Sequence, residues 1–172
     1  MFGGDFYTSV ERGIKKNKDA ILAAAAQYNV DPYVLAGCIY VEQQYNYNWV
    51  DDLTDVGLFF LDTSVGISQI RISNVLLLEE LHYIEPSEFG FMKELCIAIK
   101  LQEDDVYSIN CAAAYLAYLR DQWSPYYDVS LSPAIWGTLY NNGVGNPHSN
   151  PKPSIFGQRV ANAIWHMEIL LK

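Results

Sequence analysis

One glutamate in the sequence has neighbours that would allow it to act as a general acid. Glu42 follows the apolar run 38–41 and precedes Gln43 and Gln44. At the end of a helix, such apolar neighbours would desolvate the carboxyl group and raise its pKa toward neutrality. A carboxyl group that stays protonated can give its proton to a leaving oxygen, as in glycosidic bond cleavage. A lone glutamate in the last turn of a helix is more often a solvated surface residue, so the spacing alone leaves both interpretations open.

Helical periodicity dominates the chain and predicts the elements that would position Glu42. In the first half of the chain we expect helices over about 6–28, from an Asp31-Pro32 cap to about 45, and over 74–83 with Ser73 as its cap. In the second half we expect helices from Ser87 to about 100 and from Asp104 to about 123. A short helix capped by Ser132-Pro133 should end at 141–145, and the last should run from Ser154 to 171. The composition of residues 46–73 differs from that of the helical segments, and it predicts a loop or short helix with an extended segment at 65–72. The expected fold class is therefore mainly α, a single domain with a small irregular or short-β lobe.

Composition and charge exclude several classes of function. The chain has 172 residues, a net charge of −9 and a pI of about 4.6. An acidic chain repels phosphate, so we expect no nucleic-acid partner. No run approaches the ~18 apolar residues of a membrane span, so we expect no membrane insertion. Residues 1–7 lack the pattern of a signal peptide, which predicts delivery by another system.

Metal, redox and nucleotide chemistry are not indicated by the sequence. The three cysteines, Cys38, Cys96 and Cys111, lie in apolar helical segments at spacings that fit no zinc motif, so we expect three small buried thiols. The three histidines are scattered, and no phosphate-cradling glycine loop is present. We therefore expect neither a metal site nor a cofactor.

Three short blocks, in order along the chain, resemble motifs of the lysozyme-like superfamily. The first runs from Val30-Asp31-Pro32-Tyr33 to Glu42 and Tyr45-Asn46. The second, 66–70, is similar to the glycine-x-x-glutamine-apolar motif of lytic transglycosylases and goose-type lysozymes, and the third, 139–145, to their tyrosine-asparagine-x-glycine motif. The helix 110–119 is like a family helix that continues through alanine and tyrosine-leucine. Gln43 and Ser68 depart from the family's usual serine and methionine.

The resemblance implies a division of the chain and a mechanism. Residues 1–29 would be an N-terminal helical extension, 30–145 would carry the catalytic motifs, and 146–172 would form a loop and the C-terminal helix. Glu42 would be the general acid in cleavage of peptidoglycan glycan strands. The residues expected to contact or border the sugar are Gly66, Ser68, Gln69, Tyr140, Asn141 and, for stacking, Tyr45. The glycine would let backbone approach the sugar, whereas Gln69, Asn141 and Gly143 could also be simple turn and cap residues.

The aspartates bear on whether the expected enzyme is a muramidase or a lytic transglycosylase. An inverting hydrolase needs a second carboxylate about 6.5–9.5 Å from the acid, whereas the lytic reaction uses the sugar's own hydroxyl. Asp62 stands in an Asp-Thr-Ser-x-Gly-x-x-Gln stretch that resembles muramidase-type members, so it is the expected second catalytic carboxylate. Asp51, Asp52 and Asp55 compete with it. Both reactions stay open.

The sequence is also consistent with two other hypotheses of function. The chain could be a catalytically inactive lysozyme-fold module that binds glycan or a protein partner, or a helical interaction protein. As an enzyme without its own signal peptide, it would be exported by a specialised secretion system or released by phage lysis to act in the periplasm or cell wall. An antibacterial effector of this kind would need a cognate immunity or inhibitor protein, basic enough to meet an acidic surface.

Overall fold

The computed structural model describes residues 3–46, 64–88 and 90–172 of the chain, and these ranges are mainly helical. The elements are α1 Gly3–Lys16, α2 Lys18–Tyr28, α3 Pro32–Asn46, β1 Ser64–Val65, β2 Ile70–Arg71, α4 Ile72–Glu80, α5 Lys93–Glu103, α6 Asp105–Trp123, a 3₁₀ helix Val129–Leu131, α7 Pro133–Asn142 and α8 Ile155–Leu170. The strands pair antiparallel in a two-stranded sheet. The expected class, mainly α with a small β element, is confirmed at this level.

Helix α6 forms the centre of the fold. It packs against α2, α4, α5 and α7, and its residues 111–117 are all buried. Alanines at 112, 113, 114 and 117 keep this helix thin, so neighbouring helices approach it closely on several sides. A helix buried on most of its faces makes a rigid support for side chains that project from it.

Helix α8 brings α3 and α7 to the same side of the molecule. It packs against both of them. Gly157 lies so close to α7 that an added Cβ would collide with the carbonyl oxygen of Ala134 and with the side chain of Thr138. Only glycine allows this approach of backbone to backbone. The close packing places the C-terminal ends of α3 and α7, which carry two of the three sequence blocks, in fixed relation.

Four expected helix starts are confirmed, because each has a capping side chain. Asp31 Oδ1 accepts the N–H groups of Tyr33 and Val34 at 2.7 and 3.1 Å. The side chains at the N-caps Asp104, Ser132 and Ser154 likewise accept first-turn N–H groups of α6, α7 and α8. These bonds satisfy donors that have no partner inside the helix.

Three expected boundaries were wrong. The helix expected over 6–28 is broken at Asn17, whose side chain bonds to Gly13 O and to Asp105 of α6. Helix α4 begins at Ile72, before the expected cap Ser73. Helix α5 begins only at Lys93, because the Ser87 N–H donates to Glu79 Oε1 at 3.0 Å instead of starting a helix.

The cysteines are free thiols in the described chain. Cys38 and Cys111 are buried as expected, and Cys96 is only half-buried. Burial raises the pKa of Cys38 well above its ordinary value and that of Cys111 to about 12, so both thiols are unreactive near neutral pH. No helix in the described ranges is long and apolar enough to cross a membrane.

Candidate functional site

One cavity of about 100 Å³ lies where α3, the β1–β2 hairpin, α4, α6 and α7 meet. Its lining residues are Glu42, Ser64, Gln69, Ile70, Arg71, Asn74, Tyr115, Tyr140 and Asn141. The four residues Glu42, Gln69, Tyr140 and Asn141 come from three separate sequence blocks. The fold therefore brings together the side chains that the sequence pattern singled out, around one half-buried carboxyl group.

A tight hairpin forms the wall of the cavity next to Glu42. Its register pairs Ser64 with Arg71 and Val65 with Ile70. Gln69 has a positive φ of 50° and closes the turn through two bonds to Gly66 O, from its backbone N–H at 3.2 Å and from its Nε2 at 2.8 Å. The second bond fixes the orientation of the Gln69 side chain at the cavity wall.

Gly66 is required for packing rather than for approach to a sugar. Its φ is +78°, and an added Cβ would collide with the Leu101 carbonyl of α5 and lie 2.7 Å from Ser108 Oγ of α6. The side of Gly66 that lacks a Cβ therefore faces the protein interior, and Gly66 does not line the cavity. The expected role of this glycine is corrected: it lets the hairpin sit against two helices.

Ser68 lies in the interior as well. Its side chain is fully buried, with Oγ 2.7 Å from Ser108 Oγ and 2.9 Å from Ser108 O. A hydroxyl group in this position cannot reach a ligand in the cavity, so the expected sugar contact is corrected to a structural hydrogen bond. The bond anchors the hairpin to the central helix α6.

Two further hydrogen bonds attach the hairpin to the helices beside it. Gln43 Nε2 donates to Ile67 O at 2.7 Å, and the Tyr140 hydroxyl donates to Ser68 O at 2.8 Å. Tyr140 is 6% exposed, so its ring borders the cavity while its hydroxyl is committed to the hairpin. Gln43, which departs from the motif's usual serine, thus joins α3 to the turn of the hairpin.

Two tyrosines that line the cavity, Tyr115 and Tyr140, have raised pKa values. Burial raises the pKa of Tyr140 well above its ordinary value, and the nearby acidic groups of Cys38 and Glu42 add to the rise. Burial also raises the pKa of Tyr115, whose side chain is hydrogen-bonded to that of Asn74. Both phenols therefore stay neutral, and they act as hydrogen-bonding and packing groups rather than as acids or bases.

Tyr45 does not line the cavity, in contrast to its expected role. Its ring stacks on Phe156 of α8, with centroids 6.0 Å apart and an interplanar angle of 17°. The guanidinium carbon of Arg159 lies 4.7 Å from the centre of the same ring. Tyr45 therefore joins α3 to α8, a contact between helices that spacing along the chain could not reveal.

The expected second carboxylate is not located. Asp62 and its competitors Asp51, Asp52 and Asp55 lie outside the described residues. The segment 47–63 follows α3, which carries Glu42, and precedes Ser64, which lines the cavity. The role of Asp62 stays a prediction.

Sequence reasoning gave no site role to five residues of the cavity lining: Ser64, Ile70, Arg71, Asn74 and Tyr115. Tyr115 lies in the helix that resembled the family, so that resemblance was an available signal. Arg71 follows directly on the second block, and Asn74 lies three residues further, a spacing that places residues on one side of a helix. The cross-strand position of Ser64 depends on the hairpin register, which the sequence did not show.

In the described part of the chain, no group of three histidine, cysteine, aspartate or glutamate residues is placed to hold a metal ion. Comparison of the chain with protein-family models, with curated proteins and with solved structures found no match. The resemblance to the lysozyme-like superfamily therefore depends on the three sequence blocks alone.

Proposed function

We propose that this protein cleaves the β-1,4 bond between N-acetylmuramic acid and N-acetylglucosamine in peptidoglycan, with a lysozyme-like fold and Glu42 as general acid. One observation carries the proposal: Glu42, Gln69 and Asn141, from three distant blocks, line a single cavity with the ring of Tyr140. A concave site with one carboxyl group and a few convergent polar side chains is the arrangement expected of such an enzyme.

The chemistry would begin with proton transfer from Glu42 to the glycosidic oxygen. The bond from the anomeric carbon to that oxygen then breaks, and its electron pair leaves with the oxygen while positive charge develops on the sugar. Glu42 is half-buried at the end of α3, beside the buried residues Cys38 and Val41. Burial against these two residues would favour the neutral carboxylic acid that the step requires.

The second step would depend on the nucleophile. Attack by water, with Asp62 as base, would make the protein a muramidase. Attack by the 6-hydroxyl of the muramyl sugar itself would form an anhydro product and make it a lytic transglycosylase. Both need the sugar held against Glu42, and the amide side chains of Gln69 and Asn141, which line the cavity, would hydrogen-bond it. Tyr140 and Gln43 would act indirectly, since they hold the hairpin.

The test is digestion of purified peptidoglycan by wild type and by Glu42→Gln, with mass spectrometry of the released fragments. Reducing ends from wild type and none from the variant would establish a muramidase. Anhydro-muramic ends, lighter by one water, would establish the lytic reaction and leave Asp62 without a catalytic role. Glu80→Gln, at an exposed residue of α4, is the matched control and should digest as wild type does.

Absence of release by wild type, under conditions in which a known muramidase works, would contradict the proposal. Binding to the same peptidoglycan in a sedimentation assay would then favour the inactive, glycan-binding module. The role of an exported effector or phage lysin, with a basic immunity protein, stays a prediction. A pull-down with the products of neighbouring genes tests it, and recovery of no partner would count against it.

A further inference from the structure

Arg71 is the only cationic residue among the described residues that line the cavity, and Glu42 is the only carboxylic one. Arg71 ends β2, directly before α4, and its side chain is exposed to the cavity solvent. Its cross-strand partner Ser64 also lines the cavity, as expected for side chains that share one face of a hairpin. The register of the sheet therefore places Arg71 at the cavity wall.

The neighbours of Arg71 fix its direction. Ile70 and Ile72 on either side are 2% and 7% exposed, so the backbone around Arg71 is anchored in the core. Tyr115 lines the same cavity, and the positive charge of Arg71 acts against the burial-induced rise in the pKa of that residue. The backbone of Arg71 is thus anchored in the core, so its side chain starts from a fixed point at the cavity wall.

No carboxylate of the described residues pairs with Arg71 within 4.0 Å. The ion pairs in this part of the chain join Lys16 to Asp105, Lys93 to Glu79, Arg120 to Asp121 and His166 to Glu11. The contrast with Arg120 is informative, because its guanidinium also donates to the carbonyl oxygens of Tyr28 and Asn29. In a chain with 20 acidic and 11 basic residues, an arginine that lines a cavity and has no carboxylate partner among the described residues can offer its donors to a ligand.

We propose that Arg71 binds a carboxylate of the glycan, so that the site selects anionic muramyl strands over neutral chitin-type strands. The inference rests on the proposed function and names the substrate class of the same site. A guanidinium group donates two parallel hydrogen bonds to a carboxylate, which gives both charge and geometry. Two sources carry this chemistry: the lactyl group of muramic acid after peptide removal, and the carboxylates of the stem peptide.

The experiment measures binding by calorimetry in the Glu42→Gln background, so that ligands are not cleaved during the titration. Three tetrasaccharides serve as probes: N-acetylchitotetraose, an alternating muramyl tetrasaccharide with free lactyl carboxylates, and the same tetrasaccharide with stem peptides attached. The added substitutions are Arg71→Gln, Arg71→Lys and, as a control for net charge, Arg12→Gln at an exposed residue of α1.

We expect Arg71→Gln to weaken binding of a carboxylate-bearing probe by about tenfold or more and to leave chitotetraose binding unchanged. Arg71→Lys should fall between, since it keeps the charge and loses the fork, and Arg12→Gln should have no effect. The loss should shrink as salt concentration rises. A larger effect on the peptide-free probe identifies the lactyl group as the source, and a larger effect on the other probe identifies the stem peptide.

Equal weakening of all three probes would overturn the inference, because Arg71 would then act through the structure of the site. Unchanged binding of all probes by Arg71→Gln would overturn it too. In both cases glycan binding itself would persist, and the proposed function would stand. Failure of the Glu42→Gln protein and of wild type to bind any of the three probes would instead contradict the proposed function and this inference with it.

Discussion

Two glutamates in this molecule, Glu42 and Glu79, each follow a run of four apolar residues in a helix, and their surroundings differ. Glu79 of α4 is 3% exposed, with Oε2 2.6 Å from Lys93 Nζ and Oε1 accepting the Ser87 N–H at 3.0 Å. Glu42 of α3 is half-buried and borders a cavity. Both lie at the boundary between apolar and polar sequence, yet only Glu42 faces a space that a ligand could enter.

The comparison shows that burial alone does not mark a catalytic acid. Burial by itself raises the pKa of Glu79, but the bonds and charge of Lys93 and Ser87 together hold it below the ordinary value. Glu79 is therefore an ionised structural group that joins α4 to α5 and to the segment between them. A proton donor needs apolar surroundings and also access to the reacting oxygen.

The largest difference is expected in catalysis. Glu42→Gln should lower kcat for peptidoglycan cleavage by about 10²–10⁴-fold, because removal of a general acid costs this much. Glu79→Gln should keep kcat within a few-fold of wild type at a temperature where it is folded. Turnover on labelled peptidoglycan measures both. A Glu79→Gln protein that is folded and as inactive as Glu42→Gln would break the comparison.

Stability should respond in the opposite sense. Glu79→Gln should lower the free energy of unfolding by about 1–3 kcal/mol, since it removes a charged hydrogen-bonding partner of Lys93 and Ser87 in a buried place. The exposed neighbour Glu80→Gln should change it by less than about 0.5 kcal/mol. Urea unfolding followed by circular dichroism gives both values. Equal midpoints for the two variants would show that the Lys93–Glu79 pair contributes nothing.

The same pair should make stability depend on pH. The pKa of Glu79 is lower in the folded protein than in the unfolded chain, so its contribution is present above the ordinary carboxyl pKa of about 4.3 and is lost as the pH falls through the lower folded value. The stability gap between wild type and Glu79→Gln should be constant from about pH 5 to 7 and close in acid. A gap that widens in acid would contradict the assignment.

The smallest effect is expected for the hydrogen bond between Gln43 and the hairpin beside Glu42. Gln43→Ala removes the bond to Ile67 O, and we expect kcat/KM to fall by about three- to tenfold and stability by about 0.5–1.5 kcal/mol. Gln44→Ala, one residue further along α3, is the matched control. Steady-state kinetics and urea unfolding separate the two effects. If Gln44→Ala costs as much activity as Gln43→Ala, the hairpin bond is not what matters.

The sequence by itself determined which residues could do chemistry and where several helices begin. The caps at Asp31, Asp104, Ser132 and Ser154 were predictable, because a capping bond joins residues only two or three positions apart. The order of the three blocks likewise pointed to Glu42, Gln69 and Asn141 before any spatial information.

Only the tertiary structure decided the roles of Gly66, Ser68 and Tyr45 and added Arg71 to the cavity. Contacts between distant residues set these roles: Gly66 against Leu101, the Ser68 hydroxyl on Ser108, Tyr45 on Phe156. Such contacts depend on how helices pack, and packing is set by the whole set of buried side chains rather than by local spacing. A local pattern can therefore nominate a side chain for chemistry, whereas its exposure to a ligand is a property of the assembled fold.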